Sequence, residues 1–142
     1  MAYEVPPYAV IGTLKVPNST AWAGYQFRAV SADSTEGYCR LPNSSLGKKT
    51  LGILQNKPAA LGAATIWPIG SGAVSKVISR STNVHRGDLV WFSSLGLAQP
   101  SSSVKASGDI GIPLYGPVLS AHGTTQLLPI TLVLQLVDYS TQ

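Results

Sequence analysis

LGILQNKPAALGAATIWPIGSGAVSKV, residues 51–77, is the stretch on which the reading of this chain turns. It opens on the apolar run Leu51-Gly52-Ile53-Leu54, passes Asn56 and Pro58, crosses small residues to Gly62, and resumes as Ala64-Thr65-Ile66-Trp67-Pro68-Ile69. Short β-rich runs bounded by Gly, Asn and Pro read as strands joined by tight connections. A third run, 73–78, has a weaker alternation and is a less clear strand. The stretch is thus predicted to be a compact β unit, and it contains no cluster of catalytic residue types.

A related pattern recurs towards the C-terminus, where Leu114-Tyr115-Gly116-Pro117-Val118-Leu119 precedes Gly123 and then Leu127-Leu128-Pro129-Ile130-Thr131. Gly52 corresponds to Gly116, Leu54 to Val118, and Pro68-Ile69 to Pro129-Ile130. Upstream, Ala23-Gly24-Tyr25-Gln26-Phe27 matches Arg86-Gly87-Asp88-Leu89-Val90, and the Gly24-to-Gly52 spacing differs from that of Gly87 and Gly116 by a single residue. Two pseudo-repeated β units account for this, and so does chance register among frequent Gly and Leu.

Working outward, the 142 residues suit one domain, or one domain with an ordered arm. Area scaling gives about 7,000 Å² exposed when folded against roughly 21,000 Å² unfolded, enough for a real core. Charged residues are only 11% of the chain while 44% are hydrophobic, so it is expected to collapse and to present a surface suited to extensive partner contact. The net charge of +4 and pI of 9.4 raise an anionic partner. The cations Lys15, Arg28, Arg40, Lys57, Lys76, Arg80, Arg86 and Lys105 are nevertheless scattered, with Lys48-Lys49 adjacent, and phosphate tracking needs several aimed along one line. Nucleic acid is therefore the alternative partner, for a basic β-barrel module, and not the leading one. With Cys39 the one cysteine, a disulfide-stapled scaffold is excluded, and the residue is expected to be a small buried hydrophobe. The start MAYEVPPYAV lacks the basic run and apolar core of a signal peptide, and no apolar run approaches a membrane span, so use without export and away from membranes is expected.

Along the chain, residues 1–9 form an expected extended N-terminal arm. Pro6-Pro7 bias the backbone to a polyproline-like path and remove two N–H donors, which leaves Tyr3, Val5 and Tyr8 as anchors against another surface. A frayed terminus is the plainer alternative. Residues 10–142 are expected to form a single β domain. AVIGTLKV (9–16) contains β-formers around a glycine and ends at a Pro17-Asn18-Ser19 turn. GYQFRAVS (24–31) alternates like a half-buried strand, 32–37 is a turn, and 38–41 returns as its hairpin partner. Leu89-Val90-Trp91-Phe92 is the most strand-like run of all; 93–103 is predicted to be a long exposed loop with a few strand residues around Leu97; and 128–137 alternates as the last strand. No 3.6-residue apolar stripe with capping signals is visible. An all-β fold follows, a small barrel or sandwich of short strands.

The residue types that do chemistry are dispersed. Glu4, Asp33, Glu36, Asp88, Asp109 and Asp138 lie in or beside predicted turns or at termini, His85 and Asp88 share one tight turn with no nucleophile elbow, and His85, His122 and Cys39 have no ligand spacing. Neither an enzyme, a metal site nor a cofactor is expected. Gly47-Lys48-Lys49-Thr50 lacks the leading glycine of a phosphate loop, and Arg86-Gly87-Asp88 is explained by a turn entering a strand.

Leu51-Gly52-Ile53-Leu54-Gln55-Asn56-Lys57-Pro58, then Ala60, Gly62, Ala64, Ser75-Lys76-Val77 and Arg86-Gly87-Asp88-Leu89-Val90, resembles the capsid decoration (cement) proteins of tailed bacteriophages across residues 24–94. The resemblance implies a small β-barrel-like homotrimer on the outer capsid surface of the virion, assembled in the host cytoplasm. Its partners would be the major capsid protein and copies of itself, and its role would be stabilising capsomer junctions. Capsid or subunit contact would fall to Tyr3, Val5, Pro6, Pro7 and Tyr8 of the arm; the motif itself reads as framework.

Overall fold

The structure is a computed structural model describing residues 4, 6–42, 50–79, 86–87, 90–100, 112–115, 126–131 and 134–137, the last three stretches and residue 100 by their backbone. It is nearly all β: a single 3-10 turn, η1 (Thr20–Gly24), precedes ten strands among the described residues, β1 (Ala29–Ala32), β2 (Cys39–Arg40), β3 (Thr50–Leu54), β4 (Ile66–Pro68), β5 (Val74–Ser79), β6 (Val90–Phe92), β7 (Ala98–Pro100), β8 (Ile112–Tyr115), β9 (Gln126–Thr131) and β10 (Leu134–Val137). They form a four-stranded sheet ordered β2-β1-β3-β4 and a six-stranded sheet ordered β10-β8-β6-β7-β5-β9. The accessible surface of 7205 Å² matches the value expected for a folded chain of this mass.

The smaller sheet is closed by the chain that precedes it. Residues 11–16 hydrogen-bond on one side to the β4 edge, through Ile11 N–H to Ile66 O (2.9 Å), its return from Ile66 N–H (2.8 Å), Ala64 N–H to Leu14 O (2.8 Å) and Val16 N–H to Gly62 O (2.9 Å). On the other side they reach the β2 edge, through Lys15 N–H to Gly37 O (2.8 Å) and Cys39 N–H to Lys15 O (2.9 Å). Both exposed edges are thereby satisfied, and the sheet becomes a small barrel with the 11–16 segment as its fifth stave. Its interior holds Val16, Trp22, Val30, Cys39, Leu54, Ala64 and Ile66.

The larger sheet is rolled, and covalent reach alone requires it. Thr131 ends β9 at one edge and Leu134 begins β10 at the other. Three residues of chain span at most about 11 Å, whereas five strand spacings laid flat would separate those edges by about 24 Å. The edges must therefore approach each other at that end. The 128–137 run, expected to be one strand, is thus two, and its alternation survives because each half keeps its own ladder: Val74 to Ser79 of β5 pair with Thr131 to Gln126, and Ile112 to Tyr115 of β8 with Val137 to Leu134.

The two sheets share a core because β1 and β3 bury both faces. Val30 and Leu54 point into the barrel, while Ala29 and Ile53 pack against Ala73, Val77, Val90, Phe92 and Ala98. Trp67 and Ile69 cover the flank of that second cluster. Backbone bonds also cross the junction: Ala29 N–H donates to Gly96 O at 2.9 Å and Ile78 N–H to Phe27 O at 3.0 Å.

Two local expectations are corrected. The 24–31 run is not one strand: Ser19 caps the 3-10 turn by accepting from Ala21 N–H, Tyr25 N–H bonds back to Trp22 O, and β1 begins at Ala29. Phe27 between them takes φ 65°, where its N–H reaches Leu54 O while its carbonyl serves Ile78, so tertiary hydrogen bonding outweighs the local alternation. Leu97 also does not sit in an exposed loop; Leu97 and Ala98 are buried, and β7 pairs with β6 in the middle of the large sheet. The pairings of the sequence-matched stretches differ as well, since β3 pairs with β4, whereas β8 neighbours β10 and β6 and β9 neighbours β5.

Candidate assembly surface

The N-terminal segment is fastened at Ile11, which bridges to Ile66. Pro6 is exposed, Pro7 half-buried, Tyr8 fully exposed at 107% and Val10 exposed at 51%, so an aromatic and a β-branched side chain stand in water immediately ahead of the point where the barrel grips the chain. Two prolines stiffen the approach and cannot donate to a ladder, so this segment cannot be absorbed into the sheet beside Ile11. Farther out, Glu4 reaches Lys76 of β5 at 4.0 Å, with both side chains 29% exposed. The Lys76 ammonium lies 5.8 Å from the Phe27 ring centre. Of the predicted contact residues, Pro6, Pro7 and Tyr8 are placed here; Tyr3 and Val5 lie outside the described residues.

Two further apolar side chains are exposed at turns: Leu61, at φ 61°, and Leu95, beside the Gly96 turn. Near the first, Pro17, Asn18, Asp33, Thr35 and Tyr38 line an open groove of about 320 Å³ at the β1–β2 end of the barrel. Asp33 is held there as a charged turn-former. Thr35 N–H (2.9 Å) and the Ser34 hydroxyl (3.2 Å) donate to its Oδ1, and the first of these above all keeps its carboxyl below the ordinary carboxylate value.

Several residues of the motif that carries the resemblance hold the fold together, while Lys57, Arg86 and Gly87 of it are exposed. Gln55 Nε2 donates to Ser75 Oγ (2.8 Å) and Ile53 O (3.2 Å), and Gln55 O accepts from Gln26 Nε2 (2.6 Å), which ties the barrel to β5 of the larger sheet. Asn56 clamps the following loop, its Nδ2 donating to Ala63 O (3.0 Å) and its Oδ1 accepting from Thr65 N–H (2.9 Å). Gly52 faces the Trp67 carbonyl so closely that a Cβ would collide with it. Pro58 is buried.

Among the described residues the chemistry-bearing groups stay apart. Cys39 is fully buried and free, and desolvation pushes its thiol from an ordinary 9.0 up to about 11, so it packs as an apolar group. No group of three potential metal ligands occurs among the described residues. Arg86 and Gly87 form an exposed turn with Gly87 at φ 91°, while His85, Asp88 and Lys48-Lys49 fall outside the described residues. Among the described residues no helix is long and apolar enough to cross a membrane. Neither any protein-family model nor any curated protein matches the chain.

Proposed function

We propose that this is a structural protein of a virus particle, a capsid decoration protein that binds the outer surface of a tailed-phage head as a homotrimer and stabilises the junctions between capsomers. The observation that carries it is the solvent-exposed Tyr8 and Val10, held on a proline-stiffened segment just ahead of the Ile11–Ile66 bridge. An exposed segment with apolar side chains costs free energy in water and repays it only when laid on a partner. The low charge of the chain and the likeness of residues 24–94 to decoration proteins support the same reading. Three such arms on a threefold axis would make each later contact intramolecular, so modest single contacts sum to lasting attachment.

The test is cosedimentation of the purified protein with expanded, undecorated heads. Stoichiometric binding that persists at high salt is expected, because apolar contacts are not screened. Loss of binding with a steep logarithmic salt slope would instead identify a phosphate-binding protein and overturn the proposal.

A further inference from the structure

The open groove at the β1–β2 end of the barrel and the N-terminal segment carry matching chemistry. Pro17 and Tyr38 give the groove apolar walls, Asn18 and Thr35 bring exposed polar side chains, and Asp33 adds a carboxylate. Exposed Leu61 extends the apolar rim, joined to it by the bond from Leu61 N–H to Pro17 O (3.5 Å). Rings flanked by hydrogen-bonding side chains suit an extended proline segment, whose backbone bonds none of its own carbonyls and whose rings pack on flat apolar surface. The chain supplies such a segment in Pro6-Pro7-Tyr8, with Pro6 and Tyr8 exposed.

This segment cannot lie in its own groove. Ile11 stands at one end of the fifth stave, beside Ile66, and Val16 at the other, beside Gly62. Pro17 follows Val16, so the groove begins about 15 Å from Ile11. Tyr8 precedes Ile11 by three residues, a reach of at most about 11 Å. Glu4 moreover holds the outer part of the segment 4.0 Å from Lys76 of the larger sheet, and Tyr8 is left fully exposed. Only another copy can bring its Tyr8 to the groove.

We propose that Pro6-Pro7-Tyr8 of one copy docks in the groove of the next. The proline rings pack on Tyr38 and Pro17, the Asn18 and Thr35 side chains donate to the free proline carbonyls, and the Tyr8 hydroxyl donates to the Asp33 carboxylate. The exchange gives up only the Glu4–Lys76 pair, a partly exposed contact of small worth. A contact between two different patches is heterologous, and it generates a ring when the rotation closes. The inference rests on the homotrimer of the proposed function and names the contact that closes it.

The experiment is sedimentation equilibrium of the full-length protein in the absence of heads, beside two full-length variants: Tyr8→Ser in the arm, and Asn18→Trp, which fills the groove from an exposed bend. Thr35→Lys, also exposed and facing Asp33 across the groove chemistry, replaces Asn18→Trp if circular dichroism shows that the tryptophan disturbs the fold. The wild type is expected to form a trimer, and each variant to associate about 10-fold more weakly, as loss of an aromatic anchor or of its seat implies. Mixing the variants tests the pairing itself. Tyr8→Ser keeps a working groove and the groove variant a working arm, so together they should form a heterodimer that neither forms alone. A monomeric wild type, a trimer indifferent to either substitution, or a mixture no more associated than its components would overturn the inference. Heads left bare by an intact trimer would overturn the capsid reading instead and leave this contact standing.

Discussion

At the scale of single residues, the central stretch is held by contacts that tolerate little change. A methyl group at Gly52 would run into the Trp67 carbonyl and the Ile66 side chain across the β3–β4 pair. Gly52→Ala should therefore cost about 3 kcal/mol as overpacking against backbone that cannot yield, lowering the melting temperature by roughly 10 °C. Asn56→Ala removes one donor and one acceptor and leaves Thr65 N–H unpaired; a loss of about 1–2 kcal/mol is expected, measured by urea unfolding. Cys39 gives a pH signature. Its folded value is raised, so the neutral thiol contributes stability that is complete below its ordinary value of 9.0 and is lost as pH climbs towards about 11. Replacing it by Ala should remove that component of the alkaline decline, and a thiol reagent at pH 8 should modify the native protein only as fast as it unfolds.

At the scale of elements, the informative comparison is between two truncations. Removing residues 1–10 deletes Tyr8, Val10 and the Glu4–Lys76 pair, a partly exposed ion pair worth at most about 1 kcal/mol. The shortened protein should keep its circular dichroism and melt within a few degrees of the full chain, while its binding to expanded heads falls at least 10-fold; undiminished binding would remove the arm from the proposed function. Removing residues 1–16 also takes the fifth stave and the buried Val16, baring the β2 and β4 edges together. That variant should be largely unfolded or aggregated, which is read directly by light scattering. The sequence made much of this element level legible. The strands at 50–54, 66–68 and 90–92 and the β1–β2 hairpin were visible as apolar runs between turn residues. The 24–28 region was misread because Tyr25, Phe27 and Ala29 do alternate, yet a local cap at Ser19 starts a 3-10 turn before it and the backbone of Phe27, at positive φ, is satisfied by Leu54 and Ile78, more than twenty residues away.

At the scale of the whole molecule, Ala29 and Ile53 commit the outer wall of the barrel to the core of the larger sheet. Neither sheet is expected to survive loss of the other. Trp22 reports the barrel and Trp91 the larger sheet, so variants retaining one of these tryptophans each, with the other two replaced by Phe, should give coincident denaturant transitions; two separated midpoints would show that the sheets unfold independently. The proposed contact surface is a property of this scale too. Tyr8 and Val10 are conspicuous because the chain just after them is captured by two sheet edges, and their residue types alone did not distinguish an arm from a frayed end.

The sequence by itself determined the all-β class, the strands of the central stretch and the buried, inert setting of Cys39, because alternation, turn residues and low charge act locally and additively. Tertiary structure alone decided that residues 11–16 close a barrel, that the 128–137 run divides between opposite edges of one sheet, and that Pro17 and Tyr38 come to line one groove. Each depends on which strands become neighbours, and backbone hydrogen bonds, identical for every residue but proline, leave almost no trace of their partners in the side chains.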